Sequence, residues 1–241
     1  MTSIRSVIRA IDENISTRRI DKIYYDAQKI SKIAKEIGYF KAVSAKYGFQ
    51  LIESCAEELS EMTTGNTHGG IIAACREREI PNLLDEKPQG NFFVMLQGIE
   101  DPYNFGYALR SLYACGIDGV ILPERNWMSA AGVVCRSSAG ASELLKMYQA
   151  DADHAADYFK SHGYTVVCAD ENTDNILGEC ELPFPIFLII GGEKRGISRS
   201  LLDKSNMLVK INYAREFRAS LSAASAATMF GYEIMRQNFK K

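Results

Sequence analysis

Apolar residues at Ile4, Val7, Ile8 and Ile11 recur at the three- and four-residue spacing of one helical face, which predicts a helix over residues 1–12. A polar turn follows, and residues 21–25 read as a short strand. A second helix is predicted over 31–47, ended by Gly48, with a strand beginning at 49–52. Residues 57–61 suit a short helix, and 71–75 a strand after the turn Asn66-Thr67-His68-Gly69-Gly70. These elements describe a compact alternating α/β module.

The stretch 80–90, with Pro81, Pro88, Gly90 and three charges, breaks both periodicities and reads as a linker. It divides the chain into a module of residues 1–85 and a larger domain of residues 86–241. In the larger domain, 92–96 form a continuous apolar strand, and Asp101-Pro102-Tyr103-Asn104 turns into a helix ending near Gly116. Strands are predicted at 120–122, 164–169, 185–190 and 207–211, alternating with helices that include 152–162, stopped by Gly163. Strands that are apolar on both faces, alternating with helices, indicate a parallel sheet with helices on each side.

The chain has 241 residues, of which 46% are apolar, enough for substantial cores. A formal charge of −2 leaves a nucleic-acid partner to be held by local patches. Residues 1–50 carry ten Lys or Arg against five Asp or Glu, whereas 51–90 carry three against eight. Such asymmetry fits a basic binding face or a solvated helix face. Six cysteines without a Cys-x-x-Cys, and three histidines, suggest neither a zinc site nor a disulfide framework. Reduced thiols and no metal are expected. No stretch resembles a signal peptide or a membrane span, so the expected location is cytoplasmic.

Two common nucleotide signatures fail. Residues 191–198 have the outer glycine spacing of a phosphate-binding P-loop, but Ile197 stands where that loop needs Lys. The strand at 92–96 is followed by Gly98-Ile99-Glu100-Asp101 and not by Gly-x-Gly-x-x-Gly, which disfavours a dinucleotide oxidoreductase.

Three other segments are more informative: Asn104-Phe105-Gly106 followed by Arg110, then Gly191-Gly192-Glu193-Lys194-Arg195-Gly196-Ile197-Ser198, then Ile211 leading to Ser220-Leu221-Ser222. In content and order they resemble the SpoU/TrmH family of RNA ribose 2′-O-methyltransferases, over roughly residues 90–241. The resemblance implies a parallel sheet containing a trefoil knot, which general rules of chain connection would never suggest. It implies S-adenosylmethionine as cofactor, with Gly191 at its backbone and Ile211 and Leu221 against adenine. It also implies a homodimer, for which Ala223, Ala224, Ala226 and Ala227, followed by Met229, Tyr232 and Met235, provide a close-packing surface, although the same residues suit packing within the chain equally.

The reaction needs a ribose hydroxyl held in line with the methyl group and relieved of one proton. By resemblance Arg110 is the catalytic arginine, acting on phosphate and the developing alkoxide or as the base; a guanidinium normally stays protonated. Asn104 is expected to orient it and cap its helix, Glu193 to hold the arginine or its loop, and Ser220 to precede the final helix. Ser222 replaces the family's Asn, and the approach from Ile211 to Ser220 is about one residue longer and carries Arg215 and Arg218. The first module resembles the family's ribosomal-protein-like RNA-binding domain, with His68-Gly69-Gly70-Ile71 in place of its His-Gln-Gly-Val; taken alone, His68 reads as a turn or core histidine in preference to a functional one.

The expectation is an α/β enzyme with a knotted methyltransferase domain behind a smaller α/β RNA-binding domain. Its partner is structured RNA, ribosomal ahead of transfer RNA. The alternative is a non-catalytic RNA-binding protein that keeps the same fold.

Overall fold

The computed structural model describes residues 2–63, 68–124, 130–192, 194–217 and 219–239. These fall into two compact units, Met1–Glu79 and Ile80–Lys241. In the first, α1 (Thr2–Asp12), α2 (Ile30–Tyr47) and α3 (Ala56–Glu61) accompany β1 (Ile20–Asp26), β2 (Gln50–Ser54) and β3 (Ile71–Cys75). The sheet order is β2-β1-β3, parallel between β1 and β2 and antiparallel between β1 and β3. Ile4, Val7 and Ile8 of α1 meet Ile33, Ile37 and Phe40 of α2 and Ile23 of β1 in one core. Gly48 ends α2 in the left-handed region at φ 73°, and its N–H donates to the Ser44 carbonyl at 2.8 Å. Asp12 ties the ends of α1 and α2, accepting from Lys46 Nζ at 2.7 Å and from the Tyr47 hydroxyl at 2.6 Å.

The second unit is built on β4 (Phe92–Gln97), β5 (Gly119–Leu122), β6 (Lys146–Gln149), β7 (Thr165–Ala169), β8 (Ile186–Gly191) and β9 (Met207–Val209). All five ladders are parallel, in the order β6-β5-β4-β8-β7-β9. Alternate residues of each central strand enter opposite cores. Phe92, Val94 and Leu96 join Ile186, Leu188 and Ile190 beneath α4 (Pro102–Ala114) and α8 (Ala223–Asn238). Phe93 and Met95 join Phe187 and Ile189 beneath α6 (Ala152–Ser161) and α7 (Arg199–Lys204). Burial on both faces is the reason β4 and β8 read as uninterrupted apolar runs. A short helix α5 (Ala131–Ser137) packs on α4, where Gly106 leaves room for the Ser137 hydroxyl.

Among the described residues no helix lies between β7 and β8, where the alternation placed one, and two elements had no counterpart in the sequence reading: α5 and the edge strand β6. Both are seven residues or shorter, too brief to establish a period. The segment expected to be a linker also differs. Within 80–90, Leu83 is fully buried in the α6 core, Leu83 N–H donates to the Gln149 carbonyl at 2.9 Å, and Gln149 N–H donates to the Pro81 carbonyl at 2.8 Å. This stretch therefore lies along the edge of β6. Pro81 spoils the periodicity yet needs only its carbonyl for that pairing.

Candidate functional site

Strands β4 and β8 are neighbours, with Gln97 opposite Gly191 at their C-terminal ends. Parallel α/β sheets characteristically place their chemistry outside these ends. Beyond β4 the chain turns at Gly98, φ 71°, buries Ile99 and reaches Asp101. Beyond β8 the chain folds back on itself, Gly196 N–H donating to the Gly192 carbonyl at 3.0 Å, with Gly196 at φ 59°. A Cβ on Gly191 would lie 2.5 Å from the Gly196 carbonyl carbon, and one on Gly192 would strike the Gly98 carbonyl. Both glycines are therefore required by backbone meeting backbone. Ile197 anchors the far side of the turn in the α6 core. Lys194 and Glu100 link the two loops at 2.6 Å, an exposed ion pair of small energetic weight.

Helix α4 begins from the first of these loops. Its N-cap is Asp101, whose carboxylate accepts from the N–H groups of Tyr103 at 3.1 Å and Asn104 at 3.2 Å, with Pro102 as the first helical residue. This corrects the expectation that Asn104 caps the helix. Asp-Pro places the acceptor and the fixed proline φ where a helix start uses both, leaving Asn104 inside the first turn. Arg110 lies further along α4, exposed, with neither a hydrogen bond nor an ion pair to another described residue. No hydrogen bond joins it to Asn104, so the orienting role expected of that amide is not formed here either. Six residues of helix separate the pair by about 9 Å along the axis and turn them to different faces.

The third segment follows β9. Ile211 is half-buried against the core shared by α4 and α8. Leu221 is half-buried, and its N–H donates to the Tyr213 hydroxyl at 3.2 Å, while Ser220 is exposed. Ser222 is the N-cap of α8, accepting from Ser225 N–H at 3.2 Å. The residue that departs from the family pattern thus performs a cap that Ser serves as well as Asn. Ala223 and Ala227 are buried within this chain against α4, whereas Met229 and Tyr232 of α8 and Tyr103 and Tyr107 of α4 are exposed.

Glu193, Arg218, Asn66 and Thr67 lie outside the described residues. Among the described residues no group of His, Cys, Asp and Glu could hold a metal, and no helix is long and apolar enough to cross a membrane. All six cysteines are free, and burial pushes the Cys168 thiol up to about 12, which removes it as a nucleophile. Sequence reasoning missed Asp101, whose signal was the Asp-Pro pair, and Gly98, whose neighbour in space is 94 residues away in the chain.

The SpoU rRNA Methylase family model matches residues 91–232. The Bacillus subtilis protein YacO, named as a TrmH family tRNA/rRNA methyltransferase, is 27% identical over 229 residues, covering 92% of this chain and 90% of its own. A crystal structure of an RNA 2′-O ribose methyltransferase superposes with a TM-score of 0.80 at 22% identity, covering 98% of this chain and 85% of that one. The SpoU methyltransferase AviRb from Streptomyces viridochromogenes, solved with AdoMet, gives 0.77 at 25% identity, covering 98% and 88%.

Proposed function

The chain belongs to the SpoU rRNA methylase family of RNA methyltransferases, and from that premise we propose that it methylates a ribose 2′-hydroxyl of structured RNA, using S-adenosylmethionine. The observation that carries this reading is Arg110: an exposed cation, unpaired among the described residues, on the helix that starts from the β4 loop and at the family's arginine position.

The residues suit the cofactor. Ile211 and Leu221 offer half-buried apolar surface, and the self-paired turn after Gly191 opens and closes on the bare backbone of Gly192 and Gly196. When bound, S-adenosylmethionine supplies an electrophilic methyl on a sulfonium leaving group. Gly191, Ile211 and Leu221 hold the adenosine in this proposal. The Leu221 N–H is already engaged by Tyr213, so that hydroxyl yields if the amide is to contact adenine. Arg110 fixes an RNA phosphate and stabilises charge on the 2′-oxygen as its proton leaves. Asn104 and Glu193 position this arginine in the proposal. Ser220 hydrogen-bonds near the reacting ribose.

The first unit serves as the RNA-binding module, and its likeness to a ribosomal-protein-like domain favours ribosomal over transfer RNA. Exposed Met229 and Tyr232 on α8 support a homodimer. The knot of the family and a cytoplasmic location complete the proposal. Methyl-labelled cofactor incubated with the protein and total RNA tests it. Transfer of label into RNA is expected, whereas RNA retention without label would favour the non-catalytic alternative.

A further inference from the structure

Beside the loops just described, a cleft of about 270 Å³ opens at the C-terminal ends of β4, β5 and β6, lined among others by Asn82, Gln97, Pro123, Glu124, Gln149 and Asp151. It lies on the other side of β4 from β8 and β9, whose following loops carry Gly191, Ile211 and Leu221. The cleft is therefore additional to the proposed cofactor site. Its volume is close to the lower end of the roughly 300–1,000 Å³ usual for small-molecule sites.

Two features define what it accepts. The Gln97 Oε1 is buried and has no hydrogen-bond partner, although this side chain stands at the mouth of the sheet where solvent or ligand approaches. As placed, this oxygen lacks a donor, which an N–H of the occupant would supply. Buried polar groups in folded proteins are nearly always paired, so the missing partner is a property of the cleft's occupant. The second feature is charge. Glu124 and Asp151 are acidic and no lining residue is cationic. Asp151 already caps α6 by accepting from Asp153 N–H at 2.9 Å and His154 N–H at 3.3 Å, which occupies the donors an anion would use there. Phosphate and carboxylate groups are excluded on both counts, and a neutral group rich in N–H donors is favoured.

We propose that this cleft receives the base of an RNA nucleotide through its exocyclic amine, with Gln97 as the acceptor and Pro123 as part of an apolar wall. Guanine fits best, because its ring N–H and amino group present adjacent donors to amide and carboxylate oxygens. Uracil, with one N–H between two carbonyls, fits worst. The assignment rests on RNA being the substrate, and it gives the enzyme a means of choosing a nucleotide by its base while Arg110 acts on the ribose.

The test is an NMR titration of the full-length protein with guanosine, adenosine, cytidine and uridine, read at the side-chain amide signals of Gln97. Guanosine is expected to shift them saturably and to bind at least tenfold more tightly than uridine. Gln97→Met, which keeps length and loses the acceptor, should weaken guanosine at least tenfold, and Gln97→Glu, which restores an acceptor, should retain it. A merely structural glutamine would not give that split, and thermal melts of both variants establish folding. No shift with any nucleoside up to its solubility limit, or equal affinity for uridine, would overturn the proposal. An ordered water on Gln97 with no nucleoside response would do the same. Calorimetry with S-adenosylmethionine on the same sample separates the failures: absent cofactor binding defeats the methyl-transfer reading, whereas the nucleoside response judges the cleft.

Discussion

The carbonyl of Gly98, at the exit of β4, occupies the space into which a side chain on Gly192, at the exit of β8, would project. These two turns come from adjacent strands and approach as backbone against backbone, so neither yields by a rotamer change. Gly192→Ala is expected to destabilise the protein by about 1–3 kcal/mol, as overpacking does. It should also weaken S-adenosylmethionine by displacing the turn from Gly191 onward. Thermal melting and calorimetry read the two effects, and an alanine variant indistinguishable from wild type in both would disprove this contact.

At the start of α4, Asp101 and Asn104 are distinguished by substitution. Asp101→Ala removes a cap that satisfies two backbone donors and should cost about 1 kcal/mol. Asn104→Ala should leave urea denaturation nearly unchanged while lowering methyl transfer. A stability loss at Asn104 equal to that at Asp101 would contradict the observed cap.

Acid sensitivity is expected from α8. Glu233 accepts from Arg236 at 2.8 and 2.7 Å and from Gln237 Nε2 at 2.7 Å, and Gln237 Oε1 in turn accepts from Leu182 N–H at 2.8 Å. The Arg236 hydrogen bonds first, and that of Gln237 with them, hold the Glu233 carboxyl below its ordinary value against the opposing effect of burial. Its folded-state pKa is depressed, so its stabilisation is complete above the unfolded-state value and disappears as pH falls through the folded one. Glu233→Gln should therefore be less stable than wild type at neutral pH, with the gap closing below the usual carboxylate range. Denaturation midpoints across pH would show it, and a gap that persists unchanged in acid would refute the assignment.

Much of this architecture was legible because burial leaves a one-dimensional trace. Phe92 to Gln97 and Ile186 to Gly191 are buried on both faces and read as strands, and Gly48 and Gly163 stop helices through their left-handed conformations. Strand β6 was not legible, since four residues give too little alternation and its partner, 81–83, is disguised by proline and charge as a linker. For the site, the sequence order of Arg110, Gly191 and Leu221 carried a family resemblance. It could not report that Gly98 abuts Gly192, or that Tyr213 holds the Leu221 N–H. Asn104 was misplaced because Asn and Asp are equally good caps, and only Pro102 at the next position decides for Asp101.

The most direct test is nucleoside mass spectrometry of RNA treated with S-adenosylmethionine and either wild-type protein or Arg110→Ala under single-turnover conditions. A 2′-O-methylated nucleoside is predicted with the wild type, and on the order of 10²–10⁴ slower formation with the variant, which should keep its cofactor affinity. Arg110→Lys should recover little, because an ammonium lacks the forked planar donors. A methyl group found on a base, or equal product from Arg110→Ala, would contradict the account.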